Sequence, residues 1–148
     1  MRDIMRKEYK AYKKVGKLQN SIGELLELDF PKVVYASPGV IKHINKRHGK
    51  QLTKKIKENM LEIVEKIIKE PDYFGISNKN NLEKTIELIK KIDNIELLLG
   101  LEIDAVDQYI YVATLYPITI GKLNSKLFNG NVVKVNNSEI KEKLLLCN

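Results

Sequence analysis

The chain has 148 residues, 43% of them hydrophobic and 30% charged, and a formal net charge of +7; these values describe a folded domain with a core and exclude a disordered tail. A single cysteine, Cys147, excludes an internal disulfide and leaves a reducing, cytoplasmic setting as the expectation. No stretch reads as a signal peptide or reaches the roughly 20 apolar residues of a membrane span, so no membrane partner is expected.

Residues 1–20 read as a basic amphipathic helix, with Ile4, Tyr9, Tyr12 and Val15 on one side and Lys7, Lys10, Lys13, Lys14 and Lys17 elsewhere. Residues 32–36 read as a short strand that feeds Ser37. From Ser37 to Gly49 the pattern is a short helix: Ser37 can cap it, Pro38 suits its first position, and Gly49 can supply a left-handed terminal residue. Val40, Ile41 and Ile44 form its apolar stripe, on which His48 also falls. Both histidines of the chain lie in this segment, crowded by Lys42, Lys46 and Arg47. The plain reading of His48 is a residue favoured at a helix C-terminus by the backbone dipole. His43 points about 140° away round an ideal helix and reads as a packing residue. That geometry argues against a zinc pair, and with one remote cysteine no metal and no cofactor is expected. There is no glycine-rich phosphate loop and no nucleophile-elbow serine.

Residues 51–70 read as one long helix, with Leu52, Ile56, Met60, Ile63 and Ile67 along its stripe and Pro71 as its stop. The period then changes. Residues 73–76 read as a first strand or turn. Residues 83–91 fit either a helix or a strand and are taken as strand because 95–103 and 109–116 are clear strands of an antiparallel meander, with a hairpin loop over Asp104 to Gln108. In the last of these strands, alternation puts Thr114 and Tyr116 on one face and Tyr109, Tyr111, Ala113 and Leu115 on the other. Pro117 is expected to end pairing, residues 118–122 to form an irregular edge, and residues 124–131 a loop. Residues 132–135 suggest a final strand, and Ser138 opens a last short helix. The fold class is therefore α+β, with helices on one face of a C-terminal antiparallel sheet of about four strands. A single domain over 1–148 is expected, with a basic helical extension at 1–29, a core at 30–126 and a C-terminal extension at 127–148.

The charge is one-sided. The first 70 residues hold 17 Lys/Arg and 9 Asp/Glu, and the remaining 78 hold 9 and 10. A localised basic field suits phosphate, because neutralising phosphates releases condensed counterions. A lysine-rich solvated surface is the plainer alternative.

Three stretches carry a resemblance in this order: Ile41 to His48, then Glu70-Pro71-Asp72-Tyr73-Phe74-Gly75 with Glu87 to Lys90, then Tyr109 to Pro117 with Lys122 beyond. Together, over roughly residues 30–126, they resemble the phage-associated branch of the barnase–EndoU–colicin–RelE group of metal-independent ribonucleases. The resemblance implies a fold of helices against an antiparallel sheet and a site on one sheet face. Residue by residue it implies a histidine at His48, basic neighbours at Lys46 and Arg47, hydroxyls at Thr114 and Tyr116, and a mid-sheet lysine at Lys90. Lys42 and Lys122 would add phosphate contacts.

The implied activity is an endoribonuclease of toxin or effector type that cleaves RNA, with tRNA as one candidate target. The RNA's own 2′-hydroxyl would attack, leaving 2′,3′-cyclic phosphate and 5′-hydroxyl ends. His48 would serve as acid or base, since imidazole titrates near neutrality, and His48, Lys90 and Thr114 are expected to converge in one basic cleft. An inhibitor or immunity protein is a candidate partner. Two other readings share the fold: a non-catalytic basic module that binds nucleic acid or protein, and an interaction subunit of a phage particle.

Overall fold

The computed structural model of the protein describes residues 12–78 and 84–135. The element order is β1 (Lys13–Lys17), α1 (Asn20–Leu26), β2 (Val33–Ala36), α2 (Val40–His48), a 3-10 turn (Gly49–Gln51), α3 (Lys54–Glu58), α4 (Met60–Lys69), β3 (Tyr73–Asn78), β4 (Lys84–Ile92), β5 (Ile95–Asp104), β6 (Tyr109–Ile118), α5 (Ile120–Phe128) and β7 (Val133–Lys134). The described strands form one seven-stranded sheet in the order β1-β2-β6-β5-β4-β3-β7. The α+β class is as expected. The sheet is larger than the sequence suggested.

Beyond the four-stranded meander the sheet takes in β2 and β7, both expected as short strands, and β1, which was not. Residues 13–17 form an edge strand and not the end of a basic helix; residues 1–11 of that expected helix lie outside the described residues. Within β1, Val15 is buried while Lys13, Lys14 and Lys17 are exposed, and an irregularity in the register against β2 between Lys14 and Gly16 breaks simple alternation at Val15. The β3–β4–β5–β6 meander is antiparallel as expected, but β2 runs parallel to β6, pairing at Val34–Ile110 and Tyr35–Tyr111. The helix expected from Ser138 lies outside the described residues.

One face of the sheet carries the main core. Ile86 and Leu88 of β4, Leu97, Leu99 and Leu101 of β5, and Ile110, Val112 and Leu115 of β6 are buried together with Ile22, Ile44, Ile56, Val64, Ile67 and Ile68 of the helices. The expected helix over residues 51–70 is two helices with a break at Asn59. The first is capped by Thr53, whose Oγ1 accepts the Ile56 amide at 3.3 Å.

The opposite face is not bare. Residues 120–128, expected as edge and loop, form α5, which lays Leu123 and Leu127 on Ile89, Leu98, Ile118 and Val132. Thr119 caps it, its Oγ1 accepting the Lys122 amide at 3.1 Å, and Gly130 follows it with φ +75°. Asn124, Ser125 and Asn129 hid this helix, since such residues favour turns in isolation. Leu123 and Leu127, one turn apart, were its signal. Helices therefore cover both faces, and not one alone.

The close approach that seats β7 depends on Gly75. A Cβ there would lie 2.1 Å from the Asn131 carbonyl oxygen and 2.8 Å from Val132 Cγ1. The first obstacle is backbone, which cannot rotate aside. Gly75→Ala is expected to cost about 1–3 kcal/mol, read as a lower urea midpoint with β7 and the end of α5 losing amide protection first.

Candidate active site

The position of α2 follows from the shortness of β2. Because β2 pairs with β6 only at two residues, the run of β6 beyond Tyr111 has no strand on that side, and α2 packs against it. Val40 and Ile44 are the buried anchors of α2; Lys42, His43, Lys46 and Arg47 are exposed, and His48 is half-buried. The exposure of His43 corrects the expectation of a packing residue. Pro117 also departs from expectation: β6 continues through it to Ile118. A missing amide is tolerated there because no strand lies on the outer side to demand it.

The helix termini differ from the sequence reading in detail. Gly39, not Ser37, is the N-cap, and no side chain caps it. Gly49 has φ −56°, a right-handed conformation that carries the chain into the 3-10 turn. That turn brings Gln51 back to His48, with Oε1 3.1 Å from Nδ1. An amide oxygen can only accept, so this contact is a hydrogen bond in the tautomer with the proton on Nδ1, which leaves Nε2 its lone pair.

The imidazole of His48 stacks on the ring of Tyr116, with centroids 5.1 Å apart and planes at 30°. The register of β6 against β5 places Tyr116 on this face with the other β6 tyrosines. Along β5 the register runs Leu98–Tyr116, Gly100–Thr114, Leu101–Val112, Glu102–Tyr111, so Ala113 is an extra residue on β6. Such a bulge shifts side-chain parity by one. Tyr109 and Tyr111 therefore share the face of Thr114 and Tyr116, contrary to simple alternation, while Val112 and Leu115 both enter the main core. Gly100 makes room for Thr114, since a Cβ there would meet Thr114 Cγ2 at 2.9 Å.

Beside Tyr116 on the same face lies an ion pair that sequence reading missed. Lys126 Nζ of α5 donates to both carboxylate oxygens of Glu87, at 3.0 and 3.3 Å, with side chains only 18% and 19% exposed. Burial raises the Tyr116 phenol above its ordinary pKa; the Glu87 charge adds to this and Lys126 opposes it. The shift is away from neutral pH, so the Tyr116 hydroxyl has a proton to donate there. The signal for Glu87 was weak: a carboxylate between Ile86 and Leu88 also describes a solvated strand residue.

Lys90 is elsewhere. It opposes Leu97 and shares the main-core face with Leu88, and its Nζ lies 3.5 Å from Asp72 Oδ1. Asp72 also accepts the Lys91 amide at 2.9 Å. The expected convergence of His48, Lys90 and Thr114 is therefore corrected: His48 and Thr114 lie toward one face and Lys90 on the other, because strand parity decides the side. Lys126 is the cation that this face holds near Tyr116. Lys42, Lys46, Arg47 and Lys122 are all exposed, and none forms an ion pair with another described residue.

Further along β6, burial raises the pKa of the Tyr109 phenol, with Tyr12 adding to the effect. Burial also raises that of Tyr111, which donates a hydrogen bond to Glu102. The folded state keeps these protons where unfolded tyrosines lose theirs, above about pH 10. Their contribution to stability is full below that pH and falls as pH rises beyond it. Urea midpoints measured between about pH 9 and 12 should drop, and Tyr111→Phe should make that drop shallower.

Among the described residues, no cluster of three or more His, Cys, Asp and Glu side chains is placed to hold a metal ion. No helix among them is long and apolar enough to cross a membrane. The model of a family described as phage-Barnase-EndoU-ColicinE5/D-RelE like nuclease3 matches residues 13–125, a span from β1 into α5 that contains His48, Glu87 and Tyr116 and stops just before Lys126. No curated protein and no solved structure matches the chain.

Proposed function

The chain belongs to the phage-Barnase-EndoU-ColicinE5/D-RelE like nuclease family, and on that premise we propose that it is an endoribonuclease that cleaves RNA by attack of the 2′-hydroxyl on the adjacent phosphate. The observation that carries this reading is the His48–Tyr116 stack, with a proton-accepting nitrogen, a protonated phenol and a cation on one sheet face. RNA brings its own nucleophile. The protein has only to move one proton and to stabilise charge on phosphorus.

His48 Nε2 takes the 2′ proton as the 2′ oxygen–phosphorus bond forms. The imidazolium then returns a proton to the 5′ oxygen as its bond to phosphorus breaks, leaving a 2′,3′-cyclic phosphate and a 5′-hydroxyl. Tyr116 donates a hydrogen bond to a non-bridging phosphate oxygen, and Thr114, two residues away on the same face, offers a second hydroxyl. Lys46 and Arg47, with Lys42 and Lys122 further out, neutralise neighbouring phosphates. Lys126 takes the role of second cation first expected of Lys90. Toxin or effector action, with tRNA as a candidate target and an inhibitor or immunity protein as a candidate partner, extends this reading.

The test is incubation with total RNA in excess EDTA and chemical analysis of the new ends. Cyclic-phosphate ends support the proposal. Intact RNA, bound in a salt-dependent manner, would favour a non-catalytic module instead. Gln51→Leu should lower the cleavage rate roughly 2- to 10-fold, the worth of one hydrogen bond that orients the base. Its stability should stay within about 0.5 kcal/mol, as expected for an exposed site. An unchanged rate would show that Gln51 does not set the tautomer.

A further inference from the structure

The bulge at Ala113 has a second consequence. By bringing Tyr109 and Tyr111 onto the face of Tyr116, it gathers an aromatic cluster on the same side as His48, with Tyr109 buried at its centre and Tyr12, Tyr35 and Tyr111 half-buried around it. The Tyr12 and Tyr35 centroids lie 6.1 and 6.4 Å from that of Tyr109, edge to face, and Tyr111 lies 5.5 Å from it with planes at 36°. Tyr12, Tyr109 and Tyr111 line an open cleft of about 560 Å³ whose other wall is α2, with Val40 and the exposed His43. That volume is in the range of ligand-sized clefts. Tyr111 is oriented by its hydrogen bond to Glu102, 2.5 Å long, so its ring is held in place before anything binds.

We propose that this cleft is a base-stacking subsite, which takes the unpaired nucleobase of a nucleotide flanking the scissile phosphate in single-stranded RNA. The proposal rests on the ribonuclease reading for the position of that phosphate. Three features select this occupant. Tyrosine and histidine rings are the surfaces on which splayed RNA bases stack. Tyr111 and Tyr116 are five residues apart on one strand, about 13–17 Å, a distance that single-stranded RNA covers in a few nucleotides. The exposed Lys42, Lys46 and Arg47 on the wall helix offer cations for the phosphates of those nucleotides. A duplex keeps its bases stacked inside and presents none to the cleft.

The experiment uses the full chain and 2′-O-methyl oligoribonucleotides, which lack the attacking hydroxyl and stay intact. Anisotropy of a labelled single strand should report binding, and a fully paired duplex of the same sequence should bind more weakly. One abasic residue, moved along the strand, should weaken binding about 5- to 150-fold at one position, the range expected for loss of one base–aromatic stack. Tyr111→Leu should bind the intact strand that much more weakly and lose the abasic effect, whereas Tyr111→Phe, which keeps the ring but not its hydrogen bond to Glu102, should keep the abasic effect and lose less affinity than Tyr111→Leu. An abasic strand that binds the unmodified protein as well as the intact one at every position overturns the subsite, as does a duplex bound equally tightly. The two readings fail separately. Cleavage of natural RNA without any abasic effect removes the subsite alone; the abasic pattern with natural RNA left uncut removes the nuclease reading and leaves the stacking site standing.

Discussion

His48→Ala is expected to reduce RNA cleavage in EDTA by about 10²–10⁴-fold, the usual contribution of a positioned acid–base group. The ring is the proposed proton carrier, stacked at 5.1 Å on a phenol whose pKa burial raises. Remaining cleavage would reflect Tyr116, Thr114 and the cations acting on the phosphate. Folding should suffer little, because the ring is half-buried at the end of its helix and gives up mainly one aromatic contact, worth about 0.5–1.5 kcal/mol. The measurement pairs initial rates of cyclic-phosphate formation with a urea unfolding curve on the same preparation. A rate within threefold of the parent would remove His48 from the chemistry. A large loss of rate with an equally large loss of stability would assign it a structural role.

Ile44→Ala is expected to be the most damaging single truncation for the site as a whole. Ile44 is fully buried in the main core, and with Val40 it is one of only two buried side chains that hold α2 against the sheet. Removing its branch leaves a cavity under the helix that presents His43, Lys46, Arg47 and His48. The cost should be about 2–5 kcal/mol, by lost burial and incomplete collapse around the void. Cleavage should also fall in protein that remains folded, because a helix held by Val40 alone no longer fixes the imidazole over Tyr116. Urea titration should show a lower midpoint with an unchanged slope. A cost below about 1 kcal/mol would mean that α2 is seated by something other than this anchor. Ile41→Ala is the comparison, since Ile41 is only partly buried and packs at the margin of the same core.

Glu87 and Lys126 show why part of the candidate site could not be read in advance. They are 39 residues apart in the chain and meet at 3.0 Å only because α5 folds back over β4. No local pattern announces such a pair, and α5 itself was hidden by turn-favouring residues. Lys90 shows the converse. Its sequence context suited a site lysine, yet strand parity turned it to the other face, where Asp72 holds it.

What the chain's local order determined by itself was the α+β class, the meander from Tyr73 to Tyr116, the helix that carries both histidines, and the gathering of positive charge around it. These follow from period, turn chemistry and composition, all of which act over a few neighbouring residues. Tertiary structure alone decided which side chains share a face. One extra residue at Ala113 reversed the parity of the β6 tyrosines, and a two-residue pairing of β2 left the strand edge that α2 occupies. Parity and edge depend on register between distant strands, which is set by how the whole sheet closes over its core and not by any stretch read alone.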